Sequence, residues 1–270
     1  MSELLSGRLA RRADVAAGAS VVLRWADLEP AGAELAPVVT AAILRLPSTA
    51  RIRLTVRGGP DAPTWLRERT GSVPIVDPGS ERLIGRSAAW WHPEYVAAWA
   101  SLHARLGASL DADDRVAEVT LGCPLAGTGD PFARMARLDL NRAAYVQAGW
   151  DARADWDATT DMIQRQAAAW PSTTQVLWVA SCEAMTLGGV RSHMEPVLSL
   201  AESVAGAAGD RLLLGAARRL TPSPEFGGAL ARLAAATGPR AAVSAYAGGG
   251  DDWAAIYNSA GVALTSLEAP

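Results

Sequence analysis

Short apolar runs separated by stretches of helical periodicity recur along this chain, and that alternation restricts its fold more than any other feature. Val21 to Arg24, Arg51 to Val56, Val116 to Leu121, Thr174 to Ala180, Arg211 to Ala216, Ala241 to Tyr246 and Gly261 to Leu267 read as strands. Between them, 34–46, 93–108, 155–170, 195–205, 226–236 and 252–259 carry apolar residues at helical spacing. Short strands alternating with helices build a parallel sheet, either closed into a barrel or left open and doubly wound.

Two features favour closure. No G-x-G-x-x-G lies between a strand and a helix, and polar clusters recur at the ends of many strands. The expected fold is therefore α/β, a (β/α)8-type TIM barrel, and 270 residues suit one such domain spanning 1–270. Seven strands are clear; either the eighth lies in the first twenty residues or the barrel is shortened. The stretch 71–86 is rich in Gly, Pro, Ser and charge and reads as a long irregular connection.

All positive charge is arginine, because the chain contains no lysine. Schiff-base aldolase chemistry, a pyridoxal-phosphate lysine and a Walker A loop are excluded together. A formal charge of −3 offers no basic face for nucleic acid, and no apolar run approaches the roughly 20 residues that span a bilayer. Residues 1–17 lack the apolar centre of a secretory signal, so a soluble, cytoplasmic protein is expected. Cys123 and Cys182 each end a strand and are expected as buried thiols, or as a disulfide if those strands are neighbours. His92, His103 and His193 have no metal-ligand spacing, so neither a metal nor a cofactor is expected.

Candidate functional residues follow from the barrel expectation, since active sites sit at the carboxyl ends of barrel strands. Arg24, Trp25, Asp27 and Glu29 follow the first strand directly. Arg57 to Trp65 forms a stiff Gly/Pro loop, and Gly122 to Phe132 is a second one carrying a single carboxylate, Asp130. Glu268 ends the last strand and Tyr246 the sixth. A carboxylate at the end of a buried strand must find a partner or a function. Glu29 in Leu-Glu-Pro is read as ordering its loop, with a site role as the alternative; Glu118, in mid-strand, needs Arg57 or a similar partner if it points inward. Ten tryptophans against two phenylalanines is an unusual ratio, and flat aromatic faces pack well on the C–H groups of sugars. Trp25, Trp65, Trp90, Trp91 and Trp150 fall in loops or at strand ends and are candidate platforms, whereas Trp99, Trp156, Trp170, Trp178 and Trp253 read as core.

Three stretches together carry a resemblance: Arg-Trp-x-x-Leu-Glu-Pro at 24–30 after a strand, Gly-Pro-Asp-Ala-Pro-Thr-Trp at 59–65, and the helix from Trp90 to Leu106 with its His-Pro start. They resemble the barrels of clan A-type glycoside hydrolases, the β-galactosidase and cellulase-like enzymes. The resemblance implies retaining hydrolysis of a carbohydrate by two strand-end carboxylates about 5 to 5.5 Å apart. The matching positions are Asp130 as acid/base and Glu268 as nucleophile, with Arg24 holding Glu268 ionised. Departures from the pattern are the Gly129-Asp130 pair where the family carries Asn-Glu, and strand positions three and seven rather than four and seven. A degenerate, non-catalytic carbohydrate-binding barrel is the alternative, and a barrel enzyme that binds a small acidic metabolite through arginines is the third reading.

Overall fold

The computed structural model describes residues 18–30, 39, 41, 43, 46–77, 80–122, 134, 139–179, 200–204, 206, 208, 211–216, 245–246 and 267–268. Five strands form one parallel sheet in the order β1-β2-β5-β6-β7: β1 Gly18–Arg24, β2 Arg51–Arg57, β5 Val116–Thr120, β6 Thr174–Val179 and β7 Leu212–Ala216. Each new strand of this sheet joins the same edge. A doubly wound sheet reverses its direction of growth at a switch point, and among the described residues this sheet shows no such reversal. A short parallel pair, β8 Ala245–Tyr246 and β9 Leu267–Glu268, brings Tyr246 into register with Glu268.

The stretch 71–86 departs from the expected irregular connection. It forms an antiparallel hairpin of β3 Ser72–Val76 and β4 Leu83–Ala88. Pro74 and Gly85 obscure the strand pattern, yet Val73 and Ile75 are buried at the period of two that a strand imposes. Its turn is held by Asp77, whose carboxylate accepts from the Ser80 amide at 2.7 Å and the Ser80 hydroxyl at 2.9 Å. Asn141 then clamps the hairpin from outside, accepting from the Val76 amide and donating to the Val76 carbonyl, both at 2.8 Å.

The helices are α1 Trp25–Leu28, α2 Thr64–Thr70, α3 Pro93–Leu110, α4 Asp139–Gln147 and α5 Ala152–Ala168. Pro93 stands in the first turn of α3, where its missing N–H costs nothing, and His92 caps that end by accepting from the Glu94 amide at 3.2 Å. Tyr95, Trp99, Leu102 and Leu106 are all buried, as their common face requires. Helix α5 begins three residues before its expected start because Asp151 accepts from the Arg153 and Ala154 amides. Val39 and Ile43, helical and buried, fall within the expected 34–46 helix, and residues 200–204 within the expected 195–205 helix. The expected helices at 226–236 and 252–259 lie outside the described residues.

Helices α3 and α5 lie together over one face of the sheet. Ile52, Leu54 and Val56 of β2 and Val119 of β5 share the core with Trp99, Leu106 and Met162. The two helices approach so closely at Gly107 that a Cβ there would stand 1.9 Å from the Ala169 carbonyl oxygen. Where α3 ends, the half-exposed Asp111 carboxylate accepts from the Ser172 and Thr173 amides and so tethers the entry to β6. The other face of the sheet is polar: Arg53 pairs with Glu118 at 2.5 Å, and the buried hydroxyls of Thr55 and Thr120 lie 2.8 Å apart. Glu118 thus takes Arg53 rather than Arg57 as its partner.

Candidate functional site

Strands β1 and β2 both end in arginine, and the parallel register pairs Arg24 with Arg57. Neighbouring strands are about 4.8 Å apart, so two cations stand side by side at the carboxyl edge. Asp61 lies between them. Its Oδ1 accepts from Arg24 Nε at 2.9 Å and its Oδ2 meets Arg57 Nη2 at 2.6 Å. Arg24 Nη1 is also 3.9 Å from the exposed Asp27.

The loop that presents Asp61 is built to hold still. Gly59–Asp61 forms a single 3₁₀ turn, with Gly59 at φ 60°, a conformation glycine adopts without steric cost. The Gly59 amide donates to the Tyr95 hydroxyl at 3.1 Å, and Arg67 donates to the carbonyls of Pro60 and Ala62. The position of Asp61 is therefore set by α2 and α3 together. Arg57 and Asp61 belong to the stiff loop 57–65 that the sequence marks as a candidate, though neither stands out within it; the repetition of arginine at the ends of two successive strands is the usable signal.

Glu29 belongs to the core and not to a substrate surface. It is buried at 1% exposure, accepts from Trp25 Nε1 at 2.7 Å and forms an ion pair with Arg105 of α3. Its carbonyl also accepts from Trp65 Nε1 at 3.2 Å. Burial forces such a carboxylate to be fully paired, and here the pairing ties the end of β1 to α3. The partners of the carboxylate are thus side chains of α1 and α3 and not backbone amides of its own loop.

Three of the five tryptophans expected as sugar platforms are corrected by burial. Trp25 has no exposed surface and meets Tyr95 and Trp99 edge-on, with centroids 5.2 and 5.3 Å away. Trp90 is equally buried, and Trp150 nearly so. Both donate their ring N–H to Asp155, at 2.7 and 3.0 Å. An indole buried on both faces offers nothing for a sugar to stack on. Trp65 and Trp91 remain half-buried at the edge of the core, Trp91 lying edge-on to Trp90 at 4.6 Å. Trp99 and Trp170 are buried as expected, while Trp156 is half-buried.

Asp130 lies outside the described residues, as do Cys123 and Cys182. For Tyr246 and Glu268 the backbone gives position: both terminate parallel strands and face one another in register. His103 of α3 is fully buried. Its Nδ1 accepts from Trp170 Nε1 at 3.3 Å, and burial pushes its pKa down from 6.5 to about 3, so it stays neutral. Among the described residues no group of three or more His, Cys, Asp or Glu could hold a metal ion, and no helix is long and apolar enough to cross a membrane.

No protein-family model and no curated protein matches this chain. Solved structures similar to it include a cold-adapted β-galactosidase from Rahnella sp. R3, at TM-score 0.46 and 14% identity over 86% of this chain and 39% of that one. An endo-glycoceramidase II from Rhodococcus sp. gives TM-score 0.45 and 14% identity over 89% of this chain and 67% of that one. A psychrophilic family 10 endo-β-1,4-xylanase gives 0.39 and 12% over 84% and 64%. The chain thus spans about two fifths of the β-galactosidase's length.

Proposed function

We propose that this chain is a glycoside hydrolase-like barrel domain that cleaves a glycosidic bond with retention of configuration. One observation carries the reading: ionisable groups stand at the carboxyl termini of parallel strands, Arg24 and Arg57 on β1 and β2 and Glu268 on β9. The carboxyl ends of strands are where (β/α) barrels assemble chemistry from several strands at once. Glu268 attacks the anomeric carbon; Asp130 protonates the leaving oxygen and then activates the water that releases the sugar. In this reading Arg24 and Arg57 stand near Glu268 and favour its ionised form. Trp65 and Trp91, the half-buried tryptophans, are the remaining candidates to bound the sugar, with Tyr246 beside the nucleophile.

Hydrolysis of a panel of aryl α- and β-glycosides tests this. We expect one sugar to be turned over, with kcat/KM lowered about 10³-fold or more in Glu268→Gln and in Asp130→Asn. Turnover that survives both substitutions would remove the assigned roles. A second reading, an enzyme acting on a small acidic metabolite, is favoured by the Arg24–Asp61–Arg57 array, since guanidinium groups bind carboxylate and phosphate bidentately. Turnover of no glycoside, with specific binding of a small carboxylate or phosphate, would select it.

A further inference from the structure

We infer that Arg24 and Arg57 form an oxyanion subsite that selects a sugar bearing a carboxylate or a phosphate. The inference rests on the carbohydrate reading above and adds to it the substrate's charge. Two guanidinium groups share the single carboxylate of Asp61, which spends one oxygen on each. The three groups therefore carry a net charge of +1. Asp27 offsets this only weakly, being half-exposed and 3.9 Å from Arg24, where water and salt screen it.

A bidentate pair of one arginine with one carboxylate commits two parallel N–H donors of that guanidinium. Here most N–H donors of both guanidiniums stay available, because Asp61 engages one nitrogen of each. The two side chains are 55% and 41% exposed, while Asp61 is only 13% exposed. The anchor is thus sunk and the donors are open. Asp61 is itself immobilised through Gly59, Tyr95 and Arg67, so the fork-shaped donors are arranged before any ligand arrives. Below them on the same sheet face lie the buried Thr55–Thr120 pair and the half-exposed Val22, and among the described residues of that face the next carboxylate is Glu118, which pairs with Arg53. An oxyanion entering at the strand ends meets the two exposed guanidiniums first.

Calorimetric titration of the intact chain with glucuronate, glucose 6-phosphate, glucose and inorganic phosphate tests the subsite. We expect one sugar anion to bind at least about 10-fold tighter than glucose, the carboxylate and phosphate arms naming which anion is preferred. The preference should shrink as sodium chloride rises, disappear in Arg57→Gln and in Arg24→Gln, and return in part in Arg57→Lys, which restores charge without the fork. Both arginines are largely exposed, and thermal unfolding verifies that each variant is folded. Equal binding of glucose and its acidic derivatives would overturn the inference, as would a preference that survives both glutamine variants. Inorganic phosphate binding as tightly as glucose 6-phosphate would overturn the assignment to a sugar. The two proposals fail separately. Hydrolysis of neutral aryl glycosides without preference for aryl glucuronides or sugar phosphates retires the subsite alone, and anion-selective sugar binding without hydrolysis of any glycoside retires the hydrolase alone.

Discussion

Arg134 donates through Nε and Nη2 to the two carboxylate oxygens of Asp155, each at 2.8 Å, and neither side chain has any exposure to solvent. Asp155 also accepts from Trp90, Trp150 and Thr159, and Arg134 lies over the Trp90 ring at 5.3 Å. This one carboxylate therefore joins the start of α5 to the aromatic cluster beneath the hairpin.

Removing it strands a buried cation and two indole N–H groups. Asp155→Ala is expected to destabilise the fold by about 3 to 5 kcal/mol, the usual consequence of breaking a buried pair on one side. Urea unfolding followed by tryptophan fluorescence checks this; a loss below about 1 kcal/mol would show that the network relaxes around the gap.

Gln166 makes a comparable link on the sheet. Its Oε1 accepts from the Gly122 amide at 2.7 Å and from Trp99 Nε1 at 3.2 Å, and its Nε2 donates to the Thr120 carbonyl at 2.7 Å. Gln166→Leu keeps the volume and leaves three buried groups unpartnered, each costing about 1 to 3 kcal/mol. We expect a total loss of roughly 3 kcal/mol or more by denaturant unfolding, and faster hydrogen exchange at the Gly122 amide.

Gly107 has no room for a side chain, because the Ala169 carbonyl oxygen would lie 1.9 Å from its Cβ. Overpacking by one methyl here is opposed by backbone rather than by a movable side chain, so α3 and α5 must separate. Gly107→Ala should gain helix propensity of about 1 kcal/mol and still lose stability overall, by about 1 to 3 kcal/mol. A melting temperature at or above that of the parent chain would refute the close approach.

His103 gives a pH signature. Its folded pKa of about 3 is below its ordinary 6.5, so between these values the unfolded chain binds a proton that the folded chain refuses. Stability from this group is complete above about pH 6.5 and falls as the pH drops toward 3, by about 2 kcal/mol at pH 5. Asp111, held below the ordinary carboxylate range because hydrogen bonds from Thr173 and Ser172 outweigh its burial, acts in a lower window, below about pH 4. His103→Asn retains an acceptor for Trp170 and does not titrate; the slope of stability between pH 6.5 and 5 should flatten in that variant and persist if another group is responsible.

Much of the scaffold was legible because its signals are local. Apolar runs with β-branched residues marked β1, β2, β5 and β6, and the 3.6-residue spacing of Tyr95, Trp99, Leu102 and Leu106 marked the buried face of α3. The hairpin β3–β4 was not legible, because Pro74, Gly85 and the charged turn mimic a loop in composition, and only pairing between the two halves turns them into strands.

What the sequence by itself determined is the alternation of strands and helices, the parallel winding that follows from it, and the exclusion of lysine chemistry. The tertiary structure decided which polar and aromatic groups face a site. An indole or a carboxylate is amphipathic, and whether it is buried depends on partners brought from far along the chain: Trp90 meets Asp155 across 65 residues, and Arg24 meets Asp61 across 37. No local pattern encodes those meetings. They turned Trp25, Trp90 and Glu29 into core and set Arg24 beside Arg57 at the open edge of the sheet.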